Sequence, residues 1–187
     1  MTYDPMVLPA GLPVPEDDGA ADHLTGMRVP SLRLPSTQGE LDLAEAADGL
    51  LVLYVYPRTG RPGVEPPAEW DATPGARGCT PHSCGYRDHA AELRELGARV
   101  AGISAQPLDD QREVAERLHL PHPVIADPEL RLADALDLPT FEFGGERLYK
   151  RLALVAENGR VVKVFYPVFP PDENAAEVVA WLRERER

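Results

Sequence analysis

The chain is poor in cysteine, lysine and aromatic residues, and it has no long apolar run. Its 187 residues hold two cysteines, two lysines among 19 basic residues, and 6% Phe, Trp and Tyr. Each scarcity excludes something. Two cysteines cannot build the disulfide framework of a small secreted domain, and a chain of this length buries a core without such staples. No apolar stretch approaches the roughly 20 residues that a membrane span needs. Pro5, Pro9, Pro13 and Pro15, set among acidic residues, interrupt the pattern of a signal peptide. Acid outweighs base, with a net charge of -12 and a pI of about 4.8, the wrong sign for nucleic acid or an anionic membrane. One domain in the cytoplasm, where thiols rest reduced, is the expectation. The excess of Arg over Lys reflects coding composition and carries no functional weight.

What the chain does have is punctuation by Pro and Gly. Residues 1–25 are rich in Pro, Gly and Asp without any period, which predicts an extended or partly disordered arm ahead of a domain at 26–187. Val29, Leu32 and Leu34, then Leu41 and Leu43 across Ser36–Gly39, predict a hairpin that Pro30 and Pro35 confine to a sheet edge. The apolar run Leu50–Tyr56, ended by Pro57, predicts a central strand buried on both faces. Residues 57–78 then form a Gly/Pro-rich stretch too long for an ordinary connection.

Beyond it the pattern alternates. A helix is expected over Ser83–Gly97, with Tyr86, Ala90, Leu93 and Leu96 at helical spacing. A strand follows at Arg99–Ser104, a helix from Asp109 to Leu118, a short strand at Val124–Ala126 and a helix at Glu129–Leu136. Leu152–Val155 and Val161–Tyr166 read as a hairpin across Glu157-Asn158-Gly159, and 174–187 as a terminal amphipathic helix. This order predicts an α/β, thioredoxin-like fold: a mixed central sheet flanked by helices, with an N-terminal hairpin.

The two cysteines, Cys79 and Cys84, lie where a strand gives way to a loop and then a helix. A helix N-terminus stabilises a thiolate, because unpaired amides and the helix dipole favour negative charge there. Cys79, at or just before the first turn, is the better nucleophile. Cys84, one turn in, should be more buried and less ionised. If both are helical they stand roughly 7.5 Å apart along the axis on different faces, so a disulfide could close only by unwinding the first turns. That suits a cycle in which Cys79 becomes a sulfenic acid and Cys84 condenses with it after local unfolding. Other readings stay open: two inert buried thiols, or a zinc site of Cys79, His82 and Cys84, which lacks a second ligand cluster beyond His89. The Cys-x-x-Cys spacing of thiol oxidoreductases is not matched.

The string Gly78-Cys79-Thr80-x-x-x-Cys84-Gly85-Tyr86-Arg87-Asp88, with Tyr56-Pro57 upstream, resembles the active-site segment of peroxiredoxins of the bacterioferritin-comigratory, or Q, type. The resemblance runs from about Gly26 to the C-terminus. It implies that Cys79 attacks peroxide, that Cys84 resolves the intermediate as an intramolecular disulfide, and that a thioredoxin-like dithiol protein restores the enzyme. It implies no metal, flavin, haem or nucleotide cofactor, and either a monomer or a homodimer. An Arg on a later strand orients thiolate and peroxide in that family. Arg151 is the candidate here, with Lys150 one residue away; the planar fork of Arg can donate to sulfur and peroxide oxygen together.

Three departures accompany the resemblance. Ala76 stands where the family has a Thr or Ser, and Thr73, in Thr73-Pro74-Gly75, would replace it only if the loop folds back. Residues 58–72 are an insertion. His82 replaces the family's Glu or Gln; it could tune the thiolate's charge or shuttle a proton, but it reads first as a surface helix residue. Pro139 reads as a turn, and Phe141, Phe143, Tyr149, Phe165, Tyr166 and Phe169 as core. Two alternative functions follow from the same pair: a non-enzymatic redox-responsive binding module, or a thiol–disulfide oxidoreductase without peroxide chemistry.

Overall fold

A computed structural model describes residues 3–185. The stretch from residue 3 to residue 32 contains no helix or strand, yet Ala21 and Leu24 are buried in the core. The first hairpin is β1 (Arg33–Ser36) and β2 (Gly39–Asp42). Asp42 then caps α1 (Leu43–Ala46), its carboxylate accepting from the Ala44 and Glu45 amides at 2.9 and 3.2 Å. β3 (Leu50–Val55) follows, and a long loop carries α2 (Ala68–Ala72) to α3 (Cys79–Asp88) and α4 (Ala90–Glu95). Next come β4 (Ala98–Ser104), α5 (Leu108–Leu118), β5 (Val124–Ala126) and α6 (Arg131–Leu136). A small separate hairpin, β6 (Thr140–Phe143) and β7 (Glu146–Tyr149), precedes β8 (Leu152–Glu157) and β9 (Arg160–Phe165). A 3-10 turn at Pro171–Glu173 leads into α7 (Asn174–Arg185).

Seven strands make one mixed sheet in the order β2-β1-β5-β4-β3-β8-β9. β3 lies inside it, parallel to β4 and antiparallel to β8. Strand periodicity sorts its side chains into two cores. Leu51, Leu53 and Val55 face a core shared with Leu43, Leu132 and Leu136, while Val52, Tyr54 and Tyr56 face one shared with Tyr86, Leu93, Val114 and Val178. The sheet is thus covered on both faces, which explains why β3 reads as a continuous apolar run. α3 lies on the second face, so the cysteines stand over the even-numbered residues of β3.

The expected mixed sheet flanked by helices is the one observed. The N-terminal hairpin does form the sheet's edge, with Pro35 paired to Glu40 at that margin. Two local readings need correction. The helix expected over Ser83–Gly97 is two helices that meet at His89, and the first begins four residues earlier, at Cys79. Gly78, at φ 104, ends the loop in a conformation open to glycine, and Pro81 is tolerated because a helix's first turn needs no amide there. The β6–β7 hairpin was not expected. Its signal was present in Gly144-Gly145, both at positive φ, between two short strands. This hairpin holds the inserted loop: Trp70 of α2 packs edge-on against Phe143 at 4.9 Å, and Arg58 stacks over Trp70 at 4.3 Å.

Candidate active site

Cys79 is the first residue of α3 and is 3% exposed. Its thiol donates to the Ala76 carbonyl at 3.7 Å and accepts from Arg151 Nη2 at 3.2 Å. Arg151 stands just before β8, whose pairing with Val55 brings it to the carboxyl end of β3, close to the start of α3. The same Nη2 also meets the carbonyls of Gly75, Ala76 and Arg77 at 3.3, 3.3 and 3.1 Å. One guanidinium therefore holds both the sulfur and the loop that leads to it.

Lys150 points elsewhere and pairs with Asp18 at 2.8 Å. Successive residues of an extended chain face opposite sides, which separates the two candidates. Arg151 is 3% exposed, and among the described residues no carboxylate pairs with it. A buried cation without a counter-ion is costly, and Arg151 spreads its charge over the Cys79 sulfur and the three loop carbonyls.

His82 is fully buried rather than on the surface, because the C-terminal segment covers this face of α3. Its Nδ1 lies 3.1 Å from Arg151 Nη1 and its Nε2 3.0 Å from Asn174 Oδ1. Asn174 Oδ1 also accepts from the Tyr86 hydroxyl at 2.6 Å. Burial, and then the Arg151 charge, hold His82 well below the usual histidine range. Tyr86 belongs to the motif read from the sequence, whereas Asn174 carried no functional signal there beyond opening the terminal helix.

Cys84 lies one turn further along α3, 6% exposed and thus slightly less enclosed than Cys79, contrary to expectation. Burial pushes its thiol up from the ordinary value. Its sulfur meets the Met6 thioether at 3.7 Å, so the N-terminal arm covers it. Both thiols are free. With both on one helix, the separation of roughly 7.5 Å along the axis applies.

Thr73 ends α2, and its hydroxyl donates to the Glu69 carbonyl at 2.7 Å. Thr73, Gly75, Phe141, Pro167 and Arg151 line a cleft of about 190 Å³. Arg151 thus lines the cleft and touches sulfur. A larger cavity of about 540 Å³, lined by Asp42, Arg94 and Arg99, holds neither cysteine and has no part in this site. Thr80, 1% exposed, has a hydroxyl without a partner among the described residues. Of the six aromatics read as core, Tyr149 is fully buried, whereas Phe141 and Phe143 pack on Trp70 in a separate cluster. Among the described residues no three His, Cys, Asp or Glu side chains gather where a metal ion could sit. His82 is engaged by Arg151 and Asn174, which leaves the zinc reading without its third ligand.

The Redoxin family model matches residues 24–179. The chain belongs to the Redoxin family. Curated relatives narrow the type. This redoxin is 29% identical over 164 residues to Peroxiredoxin Bcp of Bacillus subtilis, across 85% of this chain and 94% of that one. It is 24% identical over 165 residues to Peroxiredoxin Bcp of Escherichia coli, across 83% and 92%. Among solved structures, Peroxidoxin BcpB from Mycobacterium tuberculosis superposes with a TM-score of 0.69 at 29% identity, covering 87% of this chain and 98% of the other. Peroxiredoxin Q from Xanthomonas campestris gives a TM-score of 0.65 at 22% identity over 95% and 99%, which supports the fold. The redoxin is a peroxiredoxin of the bacterioferritin-comigratory type, a thiol-dependent peroxidase, and the binding-module alternative is not favoured.

Proposed function

We propose that Cys79 is the peroxide-reducing thiol and Cys84 its resolving partner, within a catalytic domain at 26–187 that carries residues 1–25 as an appended arm. The observation that carries this reading is the 3.2 Å contact from a buried, carboxylate-free Arg151 to the sulfur of the first residue of α3. Peroxide enters beside Arg151. The Cys79 thiolate attacks one peroxide oxygen, the O–O bond breaks, and Arg151 with the free amides of the first turn stabilises the charge on the departing oxygen. Proton uptake releases water or alcohol and leaves Cys79 as a sulfenic acid. Thr73, at the rim of the cleft, can turn its hydroxyl toward the peroxide once it leaves the Glu69 carbonyl.

In the second step the first turns of α3 unwind, and the Cys84 sulfur displaces hydroxide from the sulfenic sulfur, giving water and a Cys79–Cys84 disulfide. An external dithiol protein of thioredoxin-like chemistry reduces that bond through a mixed disulfide. A cytoplasmic setting, which keeps such dithiols reduced, fits the cycle. The test is stopped-flow mixing of reduced protein with excess hydrogen peroxide or an alkyl hydroperoxide. Thiol loss far faster than that of free cysteine, with one disulfide formed per peroxide, is expected. Oxidation at the rate of free cysteine would sink the reading, and rapid exchange with protein disulfides alone would replace it with an oxidoreductase.

A further inference from the structure

The buried network behind Arg151 has a single consistent assignment of protons. Arginine only donates, so the Nδ1 atom that faces Arg151 Nη1 at 3.1 Å must carry a lone pair. A neutral imidazole then bears its proton on Nε2, and Asn174 must present oxygen to it at 3.0 Å. The Tyr86 hydroxyl, 2.6 Å from the same oxygen, agrees with that orientation. We propose that His82 and Asn174 are positioning residues that hold Arg151 against Cys79 by keeping the imidazole neutral and in one tautomer. The proposal rests on the roles given above to Cys79 and Arg151.

Protonation of His82 would break the arrangement. It would set an Nδ1–H against an Nη1–H and add a second positive charge beside the guanidinium. The groups that face His82 are Arg151, with Cys79 beyond it, Tyr54 of β3 edge-on at 5.2 Å, Tyr86 at 5.5 Å and Asn174. Among the described residues no carboxylate bonds to it. An amide is therefore the acceptor that fits: it takes the Nε2 proton in hydrogen bonding without stabilising an imidazolium, as a carboxylate would. This explains why Asn rather than Asp opens α7.

The test uses three variants in a Cys84→Ser background, so that one thiol reports. Two rates are followed from pH 5 to 9: alkylation of Cys79 by iodoacetamide, and its oxidation by hydrogen peroxide. His82→Leu removes the acceptor for Arg151, and both rates should fall by about tenfold or more. His82→Gln offers an amide oxygen to Arg151 and an amide N–H to Asn174, and it should recover most of that loss. Asn174→Asp keeps both acceptor bonds and the side chain's size, so a purely structural role predicts wild-type behaviour. Under the proposal it stabilises an imidazolium, and both rates acquire a new inflection near neutral pH and drop below it.

A wild-type pH profile for Asn174→Asp, or equal reactivity of the Leu and Gln variants, would overturn the proposal. Should His82→Leu fail to fold, the Asn174→Asp profile decides alone, with thermal melting as the check on that variant. A changed alkylation profile in a protein indifferent to peroxide would uphold the positioning role while refuting the peroxidase reading.

Discussion

Cys79 and Cys84 belong to one helix, five positions apart, and to one hydrophobic cluster, yet their sulfurs have no partner in common. Cys79 meets a guanidinium delivered by β8, which is held in turn by His82 of α3 and Asn174 of α7. Cys84 meets the thioether of Met6. The arm that brings Met6 is fastened to Arg77, whose guanidinium donates to the Val7 carbonyl at 3.0 Å and stacks on the Tyr3 ring at 4.7 Å. Asp71 of α2 binds the same guanidinium at 3.0 Å. The first thiol is thus served by parts of the domain, and the second is covered by a segment that precedes the family match at residue 24. The difference teaches a division of labour. Attack needs fixed charge and geometry, whereas resolution needs release, and a segment outside the helices and strands is easier to release than a buried network.

The comparison breaks most completely at Cys79. Cys79→Ser should abolish peroxide consumption, and Arg151→Lys should slow the first oxidation by about a hundredfold, since a point charge cannot span sulfur and peroxide oxygen as the fork does. Stopped-flow thiol loss measures both. If Arg151→Lys reacts at the wild-type rate, a point charge suffices and the fork of Arg151 is not what speeds the attack.

Acid stability tests the floor beneath both thiols. His122, bound to the Tyr54 hydroxyl at 2.8 Å, is held by burial down to about 4, and Tyr54 stacks on Tyr86 at 4.3 Å. A histidine with a lowered folded value stays neutral while the unfolded chain takes up protons. Stability is therefore complete above about pH 6.5 and declines toward pH 4, by on the order of 3 kcal/mol from His122. Urea melts of the wild type and His122→Gln at several pH values should diverge over that window. Parallel curves would show that this site does not couple to acid unfolding.

The resolving step should respond to pH. Burial raises the Cys84 thiol, and only its thiolate attacks, so disulfide formation should quicken by up to about tenfold from pH 7 to 8. Quenched samples alkylated and weighed by mass spectrometry give that rate. A smaller effect is expected from the arm. A chain without residues 1–8 frees Cys84 and the start of α3, and it should form the disulfide about threefold faster and lose less protein to sulfinic acid. An unchanged rate would show that unwinding of α3, not the arm, limits resolution.

Much of this molecule was legible as pattern. The apolar run Leu50–Tyr56 and the turn Glu157-Asn158-Gly159 announce β3 and the β8–β9 hairpin, because strand burial and turn chemistry are local. Cys79 at a helix start was legible for the same reason. The junction at His89 was not, since Tyr86, Ala90, Leu93 and Leu96 keep one helical spacing across two helices. Arg151 and Lys150 could not be separated by counting, because a one-residue shift in an extended chain reverses the side it faces. His82 looked like a surface residue because its cover, Asn174, lies 92 positions away.

By itself the sequence determined an α/β, thioredoxin-like fold with two thiols near the start of a helix, after a strand and a loop. Helix and strand periods, turn residues and composition carry that information through neighbours a few positions apart. Only the tertiary structure decided which basic residue reaches sulfur, what holds that residue, and which thiol lies under the arm. Those are contacts between segments 69 to 92 positions apart, and sidedness at such a distance is set by how strands pair and helices pack rather than by spacing along the chain.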